Sequence, residues 1–416
     1  MANIQSDPYS VPLDSIDMSD PDLHHRGLEH VYFERLRKEA PLHHFDSDVY
    51  GPFWSLSRYE DIMAVDKNHR DWSSDHKNGG HVLGYELWFN DHSGLHWPMF
   101  LAMDRPKHDV QRKAVSPVVA APNLKNLEIG IRRSADEILD GLPDDEPFNW
   151  VERVSVELTT RTLATLFDFP MEDRRQLTRW SDYAFATPGD GLIDSWDERT
   201  AVMMEMKEVF ERLREDRKNK PGGFDMISMI ANPIDGAELS PEEYMGNVIL
   251  LLVGGNDTTR NSLTASAFGL SRFPQETQKL RDNPDLIPSF CSEAIRWHTP
   301  LPQMKRTALR DMEIRGQKIR EGEKVVMWYI SGNRDESVFE KPHDFIIDRP
   351  NVRNHMAFGF GLHRCVGNRL AELQLRIAWE GVLKRFRSVE LVSDPVRVRS
   401  NAINGYSDMQ VVVKRY

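Results

Sequence analysis

Two cysteines occur in 416 residues, and one of them has an unusual setting. Cys365 lies in His355-Met-Ala-Phe358-Gly359-Phe360-Gly361-Leu-His363-Arg364-Cys365-Val366-Gly367. Gly359 and Gly361 permit backbone angles that a Cβ forbids, so this loop can turn tightly and approach a flat ligand closely. Beyond it, Leu370, Leu373, Ile377 and Val382 recur at roughly helical spacing. The thiol is therefore expected at a helix N-terminus, where the dipole and free N–H groups favour the thiolate. A thiolate can serve as nucleophile or metal ligand, whereas a buried cysteine beside a glycine turn is commonly plain core.

A second constellation is Met245-Gly-Asn-Val-Ile-Leu-Leu-Leu-Val-Gly254-Gly255-Asn256-Asp257-Thr258-Thr259. Residues 248–253 are apolar all round, which predicts a buried helix. The two glycines, the acid and the threonines are poor helix material, so a local opening is expected there. The Thr258 hydroxyl can bond the Gly254 carbonyl one turn back. A buried Asp257 is costly unless it is partnered or useful. Elsewhere His108 and Arg112, four apart in Asp104-Arg-Pro-Lys-His108-Asp-Val-Gln-Arg112, share a helix face. Glu293 and Arg296, three apart, meet on another helix among apolar neighbours.

The order Phe-Gly-x-Gly-x-His-x-Cys-x-Gly resembles the haem-binding loop of the cytochrome P-450 (haem-thiolate monooxygenase) superfamily. That resemblance implies haem b as cofactor, with Cys365 on the iron and Phe358 and Gly367 in the same loop. Asp-x-Pro-x-His-x-x-x-Arg resembles the segment that grips a haem propionate, so His108 and Arg112 become propionate ligands. Arg306 and His363 match further propionate ligands, and His355 is a weaker match. Gly254–Thr259 resembles the oxygen-activation groove, in which an acid–alcohol pair, here Asp257 and Thr258, relays protons to dioxygen. Glu293 and Arg296 resemble the superfamily's core pair, with Arg349 as its third, structural member. The string Leu-Leu-Val-Gly-Gly-Asn-Asp-Thr-Thr-Arg-Asn-Ser looks like the soluble bacterial branch that hydroxylates the termini of alkanes and fatty acids. Pro302-Gln-Met-Lys305 departs from that branch's pocket-lining turn, which points to a shifted chain length or head group. Partly by analogy, the substrate wall is assigned to Leu87, Leu101, Phe185, Leu250, Val253, Gly254, Leu301 and Ile403; each is also an ordinary core residue type.

These groups need a frame. The resemblance implies one domain over residues 1–416, mainly α with a smaller β-rich part, with the haem buried between two helices. The residues themselves predict helices near His30–Glu39 and Arg58–Val65, a hairpin at Val49–Ser57, and several amphipathic helices over 124–225, with a break at Asn219–Phe224. Strand-like runs follow at Met312–Ile314, Gln317–Ile319, Val325–Ile330 and in the tail from Val389 to Val413, where Asn401–Tyr406 forms a hairpin tip. The aromatic stretch 76–103 is read as a pocket wall.

Hydrophobic residues make up 40% of the chain, enough for a sizeable core. Two cysteines give no disulfide framework, which suits a reducing cytoplasm. A polar, acidic N-terminal stretch and the lack of a long apolar span argue against a membrane anchor. The net charge of −12 argues against nucleic acid. No flavin or nicotinamide fingerprint is present, so electrons must come from outside. The resemblance implies an iron–sulfur ferredoxin with a separate reductase, and Arg353, Arg364, Arg369, Arg376 and Lys113 are expected to form its basic docking face. The expected partners are therefore dioxygen, that ferredoxin and a hydrophobic small molecule. The expected reaction is hydroxylation of an unactivated C–H bond, at the end of a linear alkane or fatty acid. Terpenoid or aromatic substrates, a peroxide-driven enzyme and a non-catalytic haem sensor remain as alternatives.

Overall fold

Apolar side chains alternate along Lys324–Met327 and the residues after it, and they feed two cores. Val325 and Met327 pack with Leu42, Leu56, Ile62, Val65 and Trp72. Val326 and Trp328 pack with Phe33, Leu36 and Phe53. This period of two is what a strand with both faces covered requires. In the computed structural model, which describes residues 4–89, 95–218, 220, 223–232, 234 and 236–416, that strand is the centre of a five-stranded sheet. Gly51–Leu56 runs parallel to it on one side, and Met304–Ala308 runs antiparallel on the other. Leu42–Ser47 and Trp72–Ser73 are the edges.

The chain divides into two compact units that interleave in sequence. The sheet belongs to the first, made of Met1–Tyr85, Phe268–Cys365 and Pro395–Ser407. Its helices include Glu29–Glu39, Tyr59–Lys67 and Ile287–His298, close to expectation. The hairpin differs from the expected one. Gly51-Pro52 opens its second strand rather than forming its turn, and the first strand is Leu42–Ser47. Gly51 adopts φ +65°, which lets the chain reverse before the strand begins. The strands Met312–Ile314 and Gln317–Ile319 pair as expected, joined by Arg315-Gly316 with both residues at positive φ.

The second unit is Glu86–Ala267, Val366–Asp394 and Asp408–Tyr416. It holds the helices Lys107–Val115, Ala121–Asp140, Glu157–Phe167, Arg174–Ala184, Trp196–Arg217 and Asn368–Arg385, and most of Pro241–Arg272. A three-stranded sheet places Gln410–Arg415 between Phe148–Asn149 and Phe386–Leu391. Helix covers 54% of the chain, in line with the mainly-α expectation. Among the described residues no helix is long and apolar enough to cross a membrane. Half of the expected break at Asn219–Phe224 lies outside the described residues, as does part of the aromatic stretch. The described part of that stretch carries short helical turns at His76–Asn78, Tyr85–Trp88 and Phe100–Ala102, joined by turns and irregular chain.

Candidate active site

The cysteine loop, in the first unit, is fastened from below. The Cys365 N–H donates to the Phe358 carbonyl at 2.8 Å. Gly359 and Gly361 both hold positive φ, and a Cβ on Gly361 would sit 2.9 Å from the Asp66 carbonyl oxygen. Asp66 itself is buried. Its carboxylate accepts from the Phe360 N–H at 2.8 Å, the Tyr329 hydroxyl at 2.8 Å and Arg306 Nη2 at 2.9 Å. Reading the residues alone misses Asp66. The available signal was an acid in the last turn of Tyr59–Lys67, where the helix dipole disfavours one unless it is partnered.

The loop's other candidates are close at hand. The Cys365 side chain is exposed. The helix after it starts at Asn368 with Gly367 as N-cap, so the thiol precedes the cap by two residues. A Cβ on Gly367 would meet nothing within 4 Å. His363 Nε2 lies 2.8 Å from Ser74 Oγ. His355 is buried against Phe358. Burial, and after it Arg296, push the His355 imidazole down to about 3, so it is neutral. Arg306, expected as a propionate ligand, donates to Asp66 and to the Lys305 carbonyl.

Glu293, Arg296 and Arg349 do come together. Arg296 donates Nε and Nη2 to the two Glu293 oxygens at 2.7 and 2.8 Å, and Arg349 Nε reaches Glu293 at 3.2 Å. Arg296 also bonds the Asn333 carbonyl, while Asn333 Oδ1 accepts from the Met356 N–H. The network thus ends on the chain just before the cysteine loop.

In the second unit, Pro241–Arg272 runs as an unbroken helix. The expected opening is in its packing, not in its backbone. Leu250 and Thr258 are partly exposed and Gly254 is exposed, on one face at i, i+4 and i+8, while Leu251, Leu252, Val253, Asn256, Asp257 and Thr259 are buried. A Cβ on Gly254 would meet nothing within 4 Å, whereas one on Gly255 would sit 3.0 Å from Leu163. Thr258 Oγ1 donates to the Gly254 carbonyl at 3.0 Å, as its spacing predicted. The helix is held in register by polar bonds: Asn247 accepts from the Phe100 N–H, Asn256 from Thr159, and Ser266 from the Trp379 indole.

Asp257 is buried, with Arg260 Nη2 at 3.0 Å and Asn256 Nδ2 at 3.3 Å. Arg260 also pairs with Asp182 at 2.8 Å. Burial pushes the Asp257 carboxyl up; Arg260 opposes this and the Asp182 charge adds to it, leaving it at about 6. His108 and Arg112 share the helix Lys107–Val115. His108 is buried with Nδ1 2.9 Å from Asp109, and burial lowers its pKa. The hydrogen bond to Asp109 opposes that shift, with Nδ1–H as the donor because a carboxylate oxygen only accepts.

The substrate candidates divide between the units. Leu87, Leu101, Phe185, Leu250, Val253 and Gly254 lie in the second, and Leu301 and Ile403 in the first. Val253 and Ile403 are buried, while Leu87, Leu101, Phe185, Leu250 and Leu301 are incompletely covered. Of the expected basic face, Arg353, Arg364, Arg369 and Lys113 are exposed. Arg376 instead bonds Glu128 and Glu380.

The comparison with known proteins decides the family. The profile described as Cytochrome P450 matches residues 159–401. The chain belongs to the cytochrome P450 family. Linalool 8-monooxygenase of Pseudomonas putida is 36% identical over 95% of this chain and 98% of its own. Cytochrome P450-153 from Novosphingobium aromaticivorans is 40% identical at TM-score 0.88, covering 96% of this chain and 99% of that one. CYP153D17 from Sphingomonas sp. PAMC 26605 is 44% identical at TM-score 0.90, covering 97% and 100%. The fold is thus the P450 fold, and the protein is a P450 monooxygenase.

P450 proteins bind haem b through a cysteine thiolate. The residues here fit that group. An exposed thiol on a loop pinned by buried hydrogen bonds is what a metal ligand needs. A helix face kept open by a glycine with empty space beside it is what a flat prosthetic group needs.

Proposed function

We propose that this P450 hydroxylates the terminal carbon of a linear alkane or fatty acid, using dioxygen and two electrons from an iron–sulfur ferredoxin served by a separate reductase. The observation that carries the reading is the open face Leu250–Gly254–Thr258 within a string that resembles the alkane and fatty-acid branch. Likeness to two CYP153 structures supports it. The whole chain, residues 1–416, acts as one catalytic domain in the reducing cytoplasm, where both thiols stay free.

The haem, when bound, supplies the oxygen activation and hydroxyl transfer. The chain supplies the rest. Cys365 ligates the iron, with Asp66 and Gly361 fixing the loop that presents it. His108, Arg112, Arg306, His355 and His363 hold the propionates, and Phe358 and Gly367 shape the loop on either side of the ligand. Thr258 Oγ1 and Asp257 move protons. An acid near 6 sits close enough to working pH both to hold a proton and to release one. Leu87, Leu101, Phe185, Leu250, Val253, Leu301 and Ile403 exclude water and orient the chain end, and Gly254 leaves it room. Exposed Arg353, Arg364 and Arg369 attract an acidic ferredoxin.

A spin-state titration of the holoenzyme with alkanes and acids of graded length tests this. A saturable low-to-high-spin shift with an optimum length is expected. A protein with a thiolate-type carbon monoxide spectrum and no response to any linear chain would overturn the linear reading. Thr258→Ala should keep consuming reduced cofactor while product falls and peroxide rises. A second reading, a terpenoid substrate, is favoured by the linalool 8-monooxygenase relative, and the same titration with terpenoid alcohols separates the two.

A further inference from the structure

Arg199 is a fully buried guanidinium with an unfilled donor. It lies in the first turn of Trp196–Arg217. Its Nε and Nη2 donate to the carbonyls of Tyr183 and Ala184, at 3.1 and 2.7 Å. Those carbonyls are the negative end of the helix Arg174–Ala184, so the cation caps that helix. Its Nη1 has no hydrogen-bond partner. Burial pushes its pKa down to about 10.

Arg217 provides an internal comparison. It caps the helix Glu157–Phe167 in the same way, donating to the Phe167 and Asp168 carbonyls. Arg217 has the carboxylates of Asp225 and Asp168 as well, at 2.6 and 3.2 Å. Capping a helix end is therefore compatible with carboxylate partners, which partly covered Arg217 has. Among the described residues none pairs with Arg199.

A second orphan lies in the same aromatic shell. Trp88 is buried and its Nε1–H has no partner. Its ring stands edge-on to Phe185 at 4.9 Å. Phe89 also contacts Phe185, and the Arg199 guanidinium lies 5.7 Å from the centre of the Phe89 ring. Indole and guanidinium are donors only. A group that satisfies both must be an acceptor, and one that also answers a buried cation must be an anion. Phe185 is only half-buried, so the shell is not closed.

We propose that Arg199 and Trp88 form a receiving site for the carboxylate of the substrate. This deepens the reading above and rests on it: the substrate is a linear acid held by its head group, not a hydrocarbon.

The test measures affinities of the holoenzyme for dodecanoate, methyl dodecanoate and dodecanol, by titration calorimetry and by spin state, at a pH where the acid is ionised. Wild type should bind the acid about 10- to 100-fold more tightly than the ester, the range for hydrogen bonds to a charged group. Arg199→Gln should abolish that preference while ester affinity stays. Trp88→Phe should reduce it by a smaller factor, and Arg199→Lys should keep most of it. Equal affinities in wild type would overturn the site, as would Arg199→Gln weakening acid and ester alike, the sign of a helix clamp and nothing more. If Arg199→Gln does not fold, Trp88→Phe and Arg199→Lys decide by the same criterion. If no linear compound binds, the linear-chain reading fails separately. Terpenoid and aromatic acids against their methyl esters then decide the anion site by the same ratio.

Discussion

Glu293 and Asp257 are both buried carboxylates with an arginine three residues further along their helix. Glu293 has both oxygens filled: Arg296 twice, Arg349, and the Ile346 N–H at 2.9 Å. Asp257 takes Arg260 and Asn256 on Oδ1, with the Ser181 hydroxyl also acting on it, and it shares Arg260 with Asp182. The same acid-x-x-Arg spacing therefore gives a carboxylate filled with donors in one place and an acid poised near 6 in the other. What sets the outcome is how many other donors and acids reach the pair from distant chain. Saturation makes an anchor, and competition makes a group that can exchange its proton.

The largest way to break this contrast is Glu293→Gln. It leaves Arg296 and Arg349 buried without their counter-charge, which costs about 3–5 kcal/mol. Urea unfolding of the holoenzyme should show that loss together with weaker haem retention. A change of less than about 1 kcal/mol would mean that Glu293 is no more an anchor than an exposed pair.

Asp257→Asn comes next, and its effect depends on pH. The folded carboxyl at about 6 lies above the unfolded value of about 3.9, so the native state binds the extra proton between them. Stability contributed by this group is highest below about pH 4 and falls as pH rises, by about 3 kcal/mol in all, until it levels above about pH 6. The asparagine variant lacks that slope. Its stability relative to wild type should therefore rise between pH 4 and 6 and stay constant above. Turnover should lose the pH-dependent limb near 6, falling by about 100-fold. A constant offset at every pH would show that Asp257 only packs and pairs, and carries no proton.

Asp66 sharpens the comparison as a third buried acid, saturated like Glu293. Asp66→Asn keeps the shape but weakens the bonds from Arg306, Tyr329 and the Phe360 N–H. A loss of about 1.5–3 kcal/mol is expected, the range for a hydrogen bond to a charged group. The thiolate-type carbon monoxide spectrum should lose intensity because the loop is held less firmly. An unchanged spectrum and midpoint would show that the glycines alone shape the loop.

Much of this was legible in the chain because it is local. Cys365, the helix after it, the Thr258–Gly254 bond and the Glu293–Arg296 pair all depend on spacings of two to four residues. Arg349 was reached only through its resemblance to a known pattern. Asp66, Asp182 and Arg199 were not read, because their partners lie far away in the chain. The Asp182 carboxylate reaches Arg260 across 78 positions, and no periodicity encodes such an approach. Arg376 was read as an exposed cation for the same reason; Glu128, which pairs with it, lies 248 positions away. Identical local types can therefore hide opposite roles.

Gly254 and Gly255 are the mildest case of that ambiguity. Side by side, both weaken a helix, and their types and spacing give no reason to separate them. A methyl on Gly254 meets nothing, so Gly254→Ala should gain the helix preference of alanine, about 0.5–1 kcal/mol. The same change at Gly255 puts a carbon 3.0 Å from Leu163, so that gain is offset by the shift it forces on the Leu163 side chain. Unfolding midpoints should thus rise for Gly254→Ala and stay level or fall for Gly255→Ala. Ligand titrations should move the other way. The methyl at 254 intrudes on the face left open for ligand and should shift the preferred chain length, while the one at 255 points into packed helix and should leave that preference alone. If both variants changed stability and chain preference equally, the open face would not be a built feature of the helix.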